Sequence, residues 1–200
     1  MRILVVGATG TIGKAVVELL SPTHEVVAAS RRHGELRVDI ADPDSIRAMY
    51  RQAGRVDAVV SAAGSARYAP LATLGDADLA LSLANKLMGQ VNLVRYGIES
   101  VRDGGSFTLT SGTLAQRPAP GSTAVSLVNA GVEAFARAAA LELPRGERIN
   151  VVSPGWVSET LAKMRRDPGE GTPAAEVARA YQRSVEGGET GQVYGVGAEA

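Results

Sequence analysis

Short apolar runs of strand length alternate along the chain with longer segments of helical periodicity. The first run, Ile3–Val6, is rich in β-branched residues and lacks polar alternation, as expected of a strand buried on both faces of a parallel sheet. Gly13 to Leu20 reads as a helix stopped by Ser21-Pro22, and strands follow over Glu25–Ala29 and Glu35–Val38. A helix over Pro43–Gln52 starts with Asp42 as its N-cap and Pro43 in its first turn. A fourth strand over Asp57–Ser61 precedes a long helix from Asp76 to Val101, with Leu79, Leu83, Leu87, Val91 and Val94 along one face. Ser106–Thr110 is the fifth strand, Thr123–Leu143 a helix, and Arg148–Val152 the sixth strand, ended by Ser153-Pro154-Gly155. A loop over Asp167–Pro173, a helix over Pro173–Ser184 and a seventh strand over Gln192–Val196 complete the pattern. This alternation predicts one α/β domain over residues 1–200, a doubly wound, Rossmann-like parallel sheet of seven strands with helices on both faces.

The turn after the first strand carries the clearest chemistry. Gly7-Ala8-Thr9-Gly10-Thr11-Ile12-Gly13 has the spacing G-x-x-G-x-x-G and runs straight into a helix. Glycine there allows a tight turn and close approach of the backbone to a pyrophosphate, and the helix N-terminus offers free N–H donors. A phosphate-binding P-loop is excluded, because Lys14 is followed by Ala15 and not by Ser or Thr. At the end of the second strand stands Ser30-Arg31-Arg32, where an acidic residue would select NAD. Guanidinium donors match a 2′-phosphate, so the expected cofactor is NADP(H).

Composition narrows the partners. Lys plus Arg and Asp plus Glu number 21 each, so nothing in the charge balance points to nucleic acid or an anionic membrane. Cysteine is absent and the two histidines, His24 and His33, sit in polar stretches that read as solvated surface, so no metal site is expected. The N-terminus lacks the pattern of a secretion signal, and no apolar run approaches the roughly 20 residues needed to span a bilayer. A soluble, cytoplasmic protein acting on a small molecule is the expectation.

These residues resemble the short-chain dehydrogenase/reductase family over nearly the whole chain. Asp39-Ile40 matches the family's adenine-contacting pair, and Ser61-Ala62-Ala63-Gly64 stands where the family has Asn-Asn-Ala-Gly. Arg148-Ile149-Asn150-Val151-Val152-Ser153-Pro154-Gly155 matches the element beside the nicotinamide, and Gly191-Gln192 the signal before the last strand. The resemblance implies a cofactor held by Gly7, Thr9, Gly10, Thr11, Ile12, Gly13, Ser30, Arg31, Arg32, Asp39, Ile40, Ala62, Ala63, Gly64, Pro154, Gly155 and Val157. It also implies a homodimer or homotetramer, and a substrate lid that is shortened here around residues 156–173.

The active-site pattern departs from the family. No Tyr-x-x-x-Lys occurs anywhere in the chain; alignment puts Val125 at the Tyr position and Asn129 at the Lys position. The family's Ser falls at Gly112, flanked by Ser111 and Thr113, and its Asn falls at Lys86. Lys86, Ser111 and Asn129 are therefore the candidate catalytic residues, with Tyr68 a possible substitute for the missing phenol and Trp156 a wall of the pocket. Two readings stay open: an atypical NADP(H)-dependent oxidoreductase of carbonyl-like compounds rebuilt around Lys86, or a non-catalytic NADP(H)-binding sensor or scaffold.

Overall fold

The computed structural model describes residues 1–197. Its seven strands are β1 (Arg2–Val6), β2 (Glu25–Ser30), β3 (Leu36–Arg37), β4 (Val56–Ser61), β5 (Val101–Thr110), β6 (Arg148–Pro154) and β7 (Val193–Val196). They form one parallel sheet in the order β3-β2-β1-β4-β5-β6-β7. The chain runs outward from β1 to β3 and then returns to place β4 on the other side of β1. That reversal opens a crevice at the carboxyl ends of β1 and β4, where ligands of such sheets bind.

Successive side chains of β1 point to opposite faces, and each face has its own helix layer. Ile3 and Val5 pack with Val16 and Leu20 of α1 (Thr11–Leu20) and Val177, Tyr181 and Val185 of α7 (Ala174–Glu186). Leu4 and Val6 share the opposite core with Ile46 and Met49 of α2 (Pro43–Ala53), Leu93 of α4 (Met88–Gly97), and Val132 and Ala136 of α5 (Thr123–Ala139). Asp42 caps α2 as expected, its carboxylate accepting from Asp44 N at 2.9 Å. No helix among the described residues is long and apolar enough to cross a membrane.

Two local expectations are corrected, for the long helix and for His24. The single long helix is in fact α3 (Asp76–Ser82), a π turn at Leu83–Leu87, α4, and a tight 3₁₀ turn at Ile98–Ser100, with Val101 already opening β5. The π turn closes i to i+5, Met88 N donating to Leu83 O, and the inserted residue rotates the faces of α3 and α4 relative to each other. Leu83 is consequently exposed, while Gln90, Leu93 and Val94 are buried. The segment after Trp156 contains a short helix, α6 (Ser158–Lys163), with Leu161 as its single fully buried side chain. His24 is not a solvated side chain: it is largely covered and its Nε2 lies 3.0 Å from Glu186 of α7.

Gln90, fully buried, ties the π turn to the sheet. Its Nε2 donates to Thr110 O at 2.7 Å and Lys86 O at 3.2 Å, and its Oε1 accepts from Thr110 N at 2.8 Å. On that side of β5 the neighbouring strand β4 has already ended at Ser61, so the Gln90 amide takes the place of a strand. Gln90→Leu would strand both backbone groups of Thr110, each orphan costing about 1–3 kcal/mol. Urea unfolding of this variant is expected to show a loss of about 2–4 kcal/mol, against a much smaller change for an exposed control such as Gln52→Leu.

Candidate functional site

The glycine turn closes over the end of β4. Gly7 has φ +86°, and a Cβ there would lie 2.6 Å from Ala62 O, so only glycine lets the two loops meet. Gly13 packs directly on the carbonyl of Gly7, bringing the first turn of α1 against the loop. Gly10 is the N-cap of α1, and no side chain caps the helix. Its free N–H groups and the positive end of the helix dipole therefore face the crevice and suit an anion.

A cavity of about 230 Å³ opens beside this turn. Gly7, Thr9, Gly10, Ser30, Arg31, Asp39, Ile40, Ala62, Ala63 and Gly64 line it; Arg32 does not. Ser30 Oγ accepts from His33 N and turns the chain after β2, which presents Arg31 to the cavity. Asp39 is fixed from both sides, its N–H donating to Ser45 Oγ at 2.9 Å and its carboxylate accepting from Ala41 N at 3.0 Å. Ile40 is buried against Gly89, where a Cβ would come within 2.9 Å of Ile40 Cγ1.

A second cavity of about 410 Å³ lies further along the carboxyl ends of β5 and β6. Lys86, Ser111, Asn129, Pro154, Gly155 and Val157 all line it, so the three candidate catalytic residues converge although they come from three different elements. The π turn straddles both cavities, giving Asn85 to the first and Lys86 to the second. Lys86 Nζ donates to Ser111 O at 3.2 Å, and its stem packs on Gly64, where a Cβ would lie 2.7 Å from Lys86 Cδ. Loss of hydration holds the Lys86 ammonium down to a pKa of about 8.

Ser111 is placed differently from a free nucleophile or acid. Its hydroxyl donates to Glu133 Oε1 at 2.8 Å, and its backbone N–H is taken by Val152 O. Glu133, buried on α5, also accepts from Gln116 and from Arg137 at 3.4 Å. Asn129 donates to Gly112 O at 3.4 Å, but its buried Oδ1 has no partner among the described residues. An orphan acceptor of this kind in a cavity wall is poised for a donor brought by a ligand. Val125 occupies the neighbouring turn of α5 and presents only methyl groups.

At the cavity mouth Tyr68 and Trp156 stack, ring centroids 6.2 Å apart and 23° from parallel. Thr11 contributes otherwise than to the cavity, its Oγ1 accepting from Lys163 Nζ of α6 at 2.7 Å. Lys163 thus stands at the N-terminus of α1, and Thr160 of the same helix lines the second cavity. Lys163, Thr160, Glu133 and Gln90 were not found from the sequence. A six-residue helix shows no readable period, and an isolated Glu or Gln in a helix reads as solvated surface.

Comparison with known proteins agrees with this architecture. A family model described as Enoyl-(Acyl carrier protein) reductase matches residues 7–196. The mouse 3-oxoacyl-[acyl-carrier-protein] reductase is 25% identical over 184 residues, covering 82% of this chain and 78% of that protein. The 2,3-dihydro-2,3-dihydroxybenzoate dehydrogenase of Escherichia coli is 29% identical over 164 residues, covering 71% and 66%. Among solved structures, a Listeria innocua protein superposes with a TM-score of 0.95 at 47% identity, covering 98% of this chain and 100% of that one. A small-chain dehydrogenase in complex with NADPH superposes with a TM-score of 0.87 at 26% identity, covering 98% and 96%. The seven-stranded parallel sheet, the glycine turn at its centre and the match over residues 7–196 make this chain a member of the short-chain dehydrogenase/reductase family.

Proposed function

We propose that the chain is an NADP(H)-dependent oxidoreductase that reduces a small carbonyl-like compound, with Lys86 as the proton donor. The observation that carries this reading is the placement of a half-buried ammonium of lowered pKa in the second cavity, beside the unpartnered Asn129 Oδ1. A module that only bound the cofactor would have no use for a desolvated cation there.

The residues present fit the cofactor. Gly7, Thr9, Gly10, Thr11, Ile12 and Gly13, with the uncapped end of α1, would hold the diphosphate, and Lys163 would add a cation to it. Ser30, Arg31 and Arg32 would take the 2′-phosphate, and Asp39 and Ile40 the adenine. Ala62, Ala63 and Gly64 would pass beneath the cofactor toward Pro154, Gly155 and Val157 on the nicotinamide side. Asn129 Oδ1 would accept from a ribose hydroxyl. When bound, the cofactor supplies a hydride equivalent.

Reduction of a carbonyl also needs a proton on its oxygen, and Lys86 Nζ provides it from inside the cavity. The Ser111 carbonyl accepts one Nζ hydrogen and sets its direction, while Glu133 fixes Ser111 through the hydroxyl. The Ser111 hydrogen is engaged in that contact, so Ser111 acts by orienting Lys86 and not by giving up its own proton. Exposed Leu83, Met88 and Leu127 on the π turn, α4 and α5 support a homo-oligomer assembled through this helix layer.

Two predictions test this reading. Arg31→Ala should weaken NADPH binding roughly ten- to a hundredfold while changing NADH binding little, as measured by titration calorimetry. Equal affinity of the unaltered protein for the two cofactors would contradict the 2′-phosphate assignment. Lys86→Met should lower turnover by about 10²–10⁴-fold across aldehydes, ketones, enones and imines while NADPH affinity holds. In the unaltered protein, carbonyl reduction requires the protonated amine, so kcat/KM should be level below pH 8 and fall as pH rises through about 8. Binding of NADPH with no consumption across that panel would instead identify a cofactor-binding module.

A further inference from the structure

We propose that the second cavity takes a flat, conjugated carbonyl compound bearing a carboxylate, with its ring against Tyr68 and Trp156 and its carboxylate at Arg117. The proposal rests on the reductase reading for the carbonyl end, and on separate residues for the rest of the ligand.

The wall of the cavity combines apolar, neutral polar and basic side chains. Ile12, Leu114, Val125 and Val157 supply hydrocarbon surface, Lys86 and Arg117 supply positive charge, and no acidic side chain lines it. Such a lining attracts an anion and offers no counter-charge to a cationic ligand. Lys86 sits at the end where the carbonyl oxygen must receive its proton, so a second charge on the ligand falls to Arg117. Arg117 is exposed on the turn after β5 and makes no ion pair and no side-chain hydrogen bond among the described residues. Glu133, which accepts from the adjacent Gln116, is committed to Ser111, Gln116 and Arg137. A single unpartnered guanidinium, flat and forked, matches one carboxylate.

The opposite rim is aromatic. Tyr68 and Trp156 both line the cavity and stack with their rings offset, and with Tyr68 51% and Trp156 37% exposed they leave apolar area in contact with solvent. The Arg166 guanidinium, which does not line the cavity, lies 5.0 Å from the Trp156 ring centroid and packs on that ring. A planar ligand gains offset stacking on this pair, which a flexible aliphatic chain does not.

The test uses para-formylbenzoate and its methyl ester, which share the ring and the aldehyde and differ in one charge. Trp156 is the only tryptophan in the chain, so its fluorescence in the NADP⁺-saturated protein reports binding directly. The carboxylate should bind about tenfold more tightly than the ester, and Arg117→Gln should remove that difference while Arg117→Lys restores part of it. Tyr68→Ala should weaken both probes alike. Equal binding of the two probes, a preference that survives Arg117→Gln, or no binding of either would overturn the proposal. Preferential binding of the carboxylate without NADPH oxidation would support this assignment and count against the reductase reading alone.

Discussion

The site depends on a buried amide. β5 extends past the end of β4, and at Thr110 its backbone faces a gap that no strand fills. Gln90 fills it with one carbonyl and one amino group, and the same amino group also reaches the Lys86 carbonyl inside the π turn. The amide therefore secures the irregular turn and the strand end together. With both fixed, Lys86 Nζ meets Ser111 O, and Asn85 on the preceding position faces the neighbouring cavity. Glu133 completes the arrangement from α5 by holding the Ser111 hydroxyl.

The chemistry follows from where charge is allowed to sit. A phenol needs a nearby cation to serve as an acid near neutral pH, because its ordinary pKa is about 10. An amine also starts above that, near 10.4, but burial moves it in the useful direction with no partner required. Lys86 is in that situation, and Val125 and Asn129 leave α5 without the phenol and cation that the family's pattern places there. Asn129 keeps a polar atom at the cavity wall without adding a second charge, which would otherwise lower the Lys86 pKa further by repulsion.

Much of the fold was readable in the chain because strands buried on both faces announce themselves. Ile3–Val6, Asp57–Ser61 and Arg148–Val152 are compact β-branched runs, and each observed strand encloses or nearly matches them. The glycine turn was readable for a similar reason, since Gly7 and Gly13 meet backbone atoms that exclude a side chain. The π turn was not readable. Leu79, Leu83, Leu87, Val91 and Val94 fit one helical face on paper, and a single inserted residue breaks that face without changing the composition. Lys86 was singled out only through alignment with the family; nothing in its local sequence distinguishes it from a surface lysine. The roles of Glu133 and Lys163 depend on contacts 22 and 152 residues away in sequence, which no local pattern encodes.

The central claim is that Lys86 is a desolvated amine ready to carry a proton near neutral pH. Lys14, Lys86 and Lys163 are the lysines of the chain, so ¹³C labelling at lysine Cε gives a spectrum simple enough to follow each amine through a pH titration. The account predicts one resonance titrating with a midpoint near pH 8 that is absent in Lys86→Met. A spectrum with no resonance titrating near pH 8, or one whose pH 8 transition survives Lys86→Met, would contradict it.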